Sequence, residues 1–345
     1  MDGREIVTRI IEGGDAPRIG FDFTPPYPSD VRFVRGARLI PHTGHPEAHY
    51  GWGRHEALLR QVPWFSGEVR VDVHGNVHGR LNGITKGECV KGWLDGWDKL
   101  GSAAMPTLDE GYFGKVAVDA DRSLFTVAGL PMNVFSDLRD ARLMANALAD
   151  TALEPGRVAE YLEAVVKVDV RACEGLAGKG VDGVMLTDDW GTQDRTFISP
   201  ESFVRLFKPA YARICDAAHG AGMKVLMHSC GQNRGFVRHL IEAGVDVLQF
   251  DQPDAYPAGW LAETFAGMAA FYMPADIQKV MPTGDRGLIE RSAAGMAVAF
   301  REAGCGLIAK DYPSWADIGV SEEWAGWARD AFIGNAWHGR GAKGA

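Results

Sequence analysis

A histidine and a cysteine two residues apart, His228 and Cys230, open the stretch His228-Ser229-Cys230-Gly231. Imidazole nitrogen and thiolate sulfur are good zinc ligands. The short, largely apolar run before them, Lys224-Val225-Leu226-Met227, reads as a buried parallel strand, so both donors fall at its carboxyl end. In α/β barrels that end carries the active site. There the pair points to metal or thiol chemistry, although a His near a Cys is elsewhere usually structural.

Other strand-like runs end in similar residues. Val181 to Leu186 leads into Asp188-Asp189-Trp190-Gly191-Thr192-Gln193, and Val245 to Phe250 into Asp251-Gln252-Pro253. Ala270 to Met273 leads into Asp276-Ile277-Gln278, and Gly306 to Ala309 into Lys310-Asp311-Tyr312-Pro313. If the strands are parallel, acids, amides, an imidazole and a thiol gather on one face. Asp189, Asp276 and Asp188 are then candidates for proton transfer, with Asp189 and Asp276 first. Trp190, Gln193, Gln252, Gln278 and Tyr312 are candidates for contact with substrate. Plain alternatives stand beside each: Asp188 or Asp189 as a helix cap, Asp251 and Asp311 as turn formers, Trp190 as core.

The elements that would position these residues alternate with βα spacing, the signature of a parallel sheet covered by helices. Between the first two strands Ser199 is an N-cap candidate and Pro200 suits the first helical position. Phe203, Leu206, Phe207, Ala210 and Ile214 follow at helical steps, and Pro209 should split the segment in two. Arg157 to Leu176 reads as a long helix, Leu124 to Leu130 as a strand, and Phe21 to Phe23 as the first strand. Gly67 to Leu81 alternates differently around His74-Gly75-Asn76 and predicts a β-hairpin excursion.

With 345 residues and 46% hydrophobic content, the chain can bury a core of barrel size. Its net charge of −9 and lack of a basic run argue against nucleic acid or an anionic membrane surface as partner. No apolar stretch approaches the roughly 20 residues that span a bilayer, and Met1-Asp2-Gly3-Arg4-Glu5 is no signal-peptide core, so a cytoplasmic location is expected. Five cysteines spread over the chain fit reduced thiols, with Cys173 and Cys215 as small buried residues.

Several of these strings together resemble the uroporphyrinogen decarboxylase superfamily: Asp188 through Gln193, Ile198-Ser199-Pro200-Glu201-Ser202-Phe203 with Pro209, His228 through Gly231, and Leu240-Ile241-Glu242-Ala243-Gly244-Val245-Asp246. The likeness is dense from about Asp182 to Ile308 and weak over the first 120 residues. It implies a single (β/α)8 TIM barrel, placed at residues 1–337 with the 67–81 hairpin inserted, while the Gly-rich composition of 338–345 predicts a flexible tail. True decarboxylases of the superfamily carry an Arg-Gln-Ala-Gly-Arg motif near the amino terminus. Here Pro25-Pro26-Tyr27-Pro28-Ser29-Asp30 follows the first strand instead.

The superfamily's other branch, cobamide-dependent methyltransferases, uses a His-x-Cys pair and one further cysteine to hold zinc, and His228 and Cys230 match that pair. For the third ligand Cys305 has a similar spacing, but it precedes its strand where the family cysteine follows it, and Lys310-Asp311-Tyr312 stands in that place. Asp311, Asp276, Asp188 or Asp189 could supply an oxygen instead, and Cys89 also stays open. The resemblance thus implies zinc-dependent methyl transfer between a small methoxy or thiol compound and a corrinoid. Nothing resembles the Asp-x-His-x-x-Gly loop of corrinoid-binding modules, so a separate corrinoid protein is the expected partner. The alternatives are a metal-free decarboxylase or lyase acting on a polycarboxylate, which would want arginines where the strand ends offer only Arg195, Arg234 and Lys310, and a non-catalytic binding barrel.

Overall fold

In the computed structural model, which describes residues 1–41, 44–81, 83, 87–101, 105–116, 122–257 and 259–336, eight parallel strands form a nearly closed barrel. They are β1 (Gly20–Asp22), β2 (Val31–Val34), β3 (Phe125–Gly129), β4 (Gly183–Thr187), β5 (Lys224–His228), β6 (Val247–Gln249), β7 (Ala270–Met273) and β8 (Leu307–Lys310). Their order is β1-β8-β7-β6-β5-β4-β3-β2. The seam between β1 and β2 is held by Asp30, whose backbone N–H donates to the Phe21 carbonyl at 2.7 Å while its buried carboxylate accepts from Phe21 N and Arg18. The α/β TIM barrel expected from the sequence is therefore the fold.

Register explains where the chemistry sits. Strand side chains alternate between faces, and Val31, Phe125, Val127, Leu226, Val247, Ala270, Tyr272 and Ile308 point inward into one apolar cluster. The helix Gly3–Ile11 closes the amino-terminal end of that cluster with Ile6, Val7 and Ile10. The next inward positions along the strands are Asp22, Gly129, Thr187, His228, Gln249 and Lys310, and these line a cavity at the carboxyl end. Thus the apolar layers end two residues before a polar one. The outward faces, among them Val184, Leu186, Val225, Leu248, Phe271 and Leu307, pack under the helices.

The connections follow the sequence where it is periodic. Ser199 accepts from the N–H of Ser202, Pro200 begins the helix Pro200–Leu206, and a second helix, Lys208–Gly220, starts just before Pro209. The long helix spans Pro155–Leu176. Two features differ from expectation. The first strand lies one residue earlier than Phe21 to Phe23, and Val31–Val34 is a barrel strand the pattern did not reveal, since Phe33 is half-exposed and the run is short. The excursion is a three-stranded antiparallel sheet, in which Glu68–Val71 and Val77–Arg80 pair and Glu88–Lys91 adds a third strand. The tail expected at 338–345 lies outside the described residues.

Candidate metal centre

The loops after β4 and β5 are sewn together, and this brings Asp189 beside His228 and Cys230. Gln232 N donates to the Thr192 carbonyl at 2.7 Å, Trp190 N donates to Ser229 Oγ at 3.2 Å, and Cys230 N donates to Asp189 Oδ1 at 2.9 Å. Gly231 has φ of +82°, and a Cβ there would stand 2.2 Å from the Gly191 carbonyl oxygen, so a side chain cannot fit between the loops. Gln252 Oε1 accepts from Gly231 N at 2.7 Å, and Asn233 Nδ2 reaches the carbonyls of Cys230 and Gly231 at 3.1 Å each.

Within this frame His228 Nε2 lies 3.3 Å from Cys230 Sγ and 3.4 Å from Asp189 Oδ1. Among the described residues these three form the one group of His, Cys, Asp or Glu whose ligand atoms all lie within 4.8 Å of one another. Zinc bonds of 2.0–2.3 Å at tetrahedral angles give ligand-to-ligand edges of about 3.4 to 3.6 Å, so the spacing fits that ion. The set leaves a fourth position for a substrate atom.

The second nitrogen of His228 is also held. Nδ1 contacts Gln249 Oε1, Gln249 Nε2 donates to Asp251 Oδ1 at 2.6 Å, and Lys310 Nζ donates to the same oxygen at 2.8 Å. A proton on Nδ1 leaves the Nε2 lone pair for a metal. Burial alone would lower the His228 pKa, but hydrogen bonds to Asp189 and Cys230 and the charges of Cys230 and Asp251 lift it to about 10. Burial would raise Asp189, yet His228 holds it down to about 2. Cys230 is raised by burial in spite of His228.

A cavity of about 990 Å³ opens over this cluster. Phe23, Phe33, Leu130, Met185, Tyr272, Tyr312 and Pro313 give it apolar and aromatic walls, and Asp22, Asn133, Asp251, Lys310 and Asp311 give polar ones.

The sequence candidates separate on this geometry. Asp189, His228, Cys230 and Tyr312 face the cavity. Asp188 does not: adjacent strand residues point to opposite faces, and its fully buried carboxylate accepts from the N–H groups of Val134, Phe135 and Ser136 and from Tyr211 Oη. It anchors the β3 loop. Trp190 is fully buried, stacked on Phe135 at 4.2 Å and edge-on to Phe203, Phe207 and Phe236, with its indole N–H on Tyr211 Oη. It is core, not a pocket wall.

Asp276 is buried away from the cavity and accepts from the N–H groups of Asp254, Gln278 and Lys279, so it shapes a loop. Gln193 and Gln278 are exposed outside the cavity, and Gln252 pins the Cys230 loop. Cys305 lies before β8, at the other end of the barrel, with its sulfur on the Ala269 carbonyl. It is not part of the cluster. Of the three cations considered, Arg195 pairs with Asp194 and Arg234 stacks on Trp260, leaving Lys310 in the cavity. The reading along strand ends missed Asp22, Gln249 and Tyr272 because they lie within the runs read as strands. Counting two residues on from the inward Val247 would have found Gln249.

Residues 115–262 match the family model of uroporphyrinogen decarboxylase (URO-D), the stretch that carries β3 to β6 and the whole cluster. Over that stretch the chain is similar to the uroporphyrinogen decarboxylase family. Its barrel is also similar to a solved structure of a methyltransferase from Methanosarcina mazei, at 11% identity and a TM-score of 0.61 over 96% of this chain and 99% of the other. That likeness is one of fold and runs over nearly the full length. A D-psicose 3-epimerase from Clostridium cellulolyticum H10 matches at 12% identity and a TM-score of 0.37, covering 62% of this chain and 78% of its own. No curated protein sequence matches. No helix among the described residues is long and apolar enough to cross a membrane.

Proposed function

We propose that this chain is a zinc-dependent methyltransferase of the uroporphyrinogen decarboxylase superfamily, moving a methyl group between a small methoxy or thiol compound and the corrinoid of a separate partner protein. The observation that carries the reading is the Asp189, His228 and Cys230 donor set, spaced for zinc at the floor of an open cavity. Zinc held there would supply Lewis-acid chemistry, acidifying a bound thiol or polarising a methoxy oxygen.

The chain's own residues do the rest. Gln249 fixes the imidazole, the Cys230 backbone N–H orients Asp189, and Phe23, Leu130, Met185 and Pro313 give the cavity apolar walls against which a methyl-bearing compound can pack. The methyltransferase fold of the Methanosarcina mazei structure agrees with this reading at the level of architecture. A decarboxylase acting on a polycarboxylate fits less well. Asp22, Asp189, Asp251 and Asp311 line the cavity against one permanent cation, Lys310, already paired with Asp251.

The test is methyl transfer by the zinc-loaded chain, followed through the corrinoid spectrum, with methylcobalamin and thiols in one direction and reduced cobalamin and methoxy compounds in the other. We expect transfer in one of them, and its loss in His228→Ala and Cys230→Ala. No transfer in either direction, or wild-type rates in both variants, would refute the reading.

A further inference from the structure

Methyl transfer at a heteroatom needs a group that moves a proton, and the acids first considered for this are taken. Asp276 staples a loop, Asp188 anchors another, and Asp189 belongs to the metal cluster. One carboxyl group in the same cavity has no such duty. Asp22, at the carboxyl end of β1, lines the cavity with His228 and Cys230. Its Oδ2 meets the hydroxyl of Tyr272 on β7, and its Oδ1 lies 2.9 Å from Ser29 Oγ.

The bonding around Asp22 suits either protonation state. Ser29 Oγ also lies 2.8 Å from the Val31 carbonyl oxygen, which can only accept. A hydroxyl has one proton to donate. When Ser29 gives it to Val31, its oxygen is free to accept from a protonated Asp22, and when Asp22 is ionised the hydroxyl can turn to the carboxylate. The groups facing Asp22 are Tyr272, Ser29, Lys310 from β8 and Asp311 after it. Burial, the largest influence, raises its pKa, and Asp311 adds to this, while Tyr272, Ser29 and Lys310 oppose. Tyr272 itself keeps its proton, raised by burial and by Asp22.

We propose that Asp22, held by Tyr272 and Ser29, is the proton donor and acceptor for the heteroatom that loses or gains the methyl group. The proposal rests on the methyl-transfer reading above. When the methyl group leaves, the carbon–heteroatom bond breaks, and the corrinoid of the partner would supply the electron pair that accepts the methyl carbon. The heteroatom keeps the bonding pair and takes the Asp22 proton. In the opposite direction the acceptor's X–H proton passes to the Asp22 carboxylate as the X–methyl bond forms, and the corrinoid would keep the pair of the bond that breaks.

The experiment uses zinc-loaded protein, with metal content, the pH–rate profile and infrared detection of a protonated carboxyl group measured for wild type, Asp22→Asn and Tyr272→Phe. We expect unchanged zinc in all three and a single ionisation in the wild-type profile. In Asp22→Asn that ionisation and the part of the carboxyl band that titrates with it disappear and the rate falls about 100-fold or more. Tyr272→Phe, which removes a donor favouring the carboxylate, moves the ionisation to higher pH. An Asp22→Asn enzyme with full zinc, wild-type profile and the band retained would overturn the proposal and leave the function standing. Should Asp22→Asn not fold, a Tyr272→Phe enzyme with unshifted ionisation would overturn it equally. Wild type with zinc and no transfer would overturn the function and the proposal together.

Discussion

His228 has two ring nitrogens with different work. Nε2 faces Cys230 and Asp189, and Nδ1 faces Gln249, which Asp251 and Lys310 hold in turn. A ligating histidine needs such a partner to fix its tautomer and ring angle, and losing one typically lowers metal affinity 10–100-fold, here about that range. We therefore expect Gln249→Leu to bind zinc about 10–100-fold more weakly, measured by competition with a chelator, while its chemical unfolding midpoint in the metal-free state stays near wild type. Equal affinity would mean that the chain from Lys310 to His228 has no bearing on the metal. Asp188 and Asp189 show why neighbouring residues of one type were hard to separate in the sequence: both are buried to some degree, yet one step along the chain sends the first to the β3 loop and the second to the cavity beside His228 and Cys230.

At the scale of elements, the β4 loop does two jobs with consecutive residues. Asp189 goes to the cluster, and Trp190 enters an aromatic core shared by Phe135, Phe203, Phe207 and Phe236. Its indole N–H bonds Tyr211, whose hydroxyl bonds Asp188. Trp190→Ala removes a fully buried large side chain and a link in that chain, and should cost about 3–5 kcal/mol of stability, read from denaturant unfolding. A loss of substrate binding with unchanged stability would instead make Trp190 a pocket residue. The helix starts at Ser199 and Pro200, and the strand ending at His228, were legible because caps and apolar runs are local signals. Gln249 and Tyr272 were not, since a polar group inside a strand declares its direction only once register is known.

Across the whole molecule, the barrel depends on β1 pairing with β8, residue 20 against residue 308, and on a seam at Asp30. Such long-range pairing leaves no mark in a window of sequence, so β2 went unseen while the βα rhythm after residue 124 was plain. The same closure sets the metal question. It puts Cys305 at the amino end of β8 and Asp22 and Lys310 at the carboxyl end, with the cluster. The central claim is that Asp189, His228 and Cys230 hold zinc without Cys305. Its most direct test is the metal content of the purified chain by plasma mass spectrometry, beside Asp189→Ala, His228→Ala, Cys230→Ala and Cys305→Ala. The account predicts about one zinc per chain in wild type and Cys305→Ala and its loss from the other three. Metal-free wild type, or zinc kept by Asp189→Ala and lost by Cys305→Ala, would contradict it.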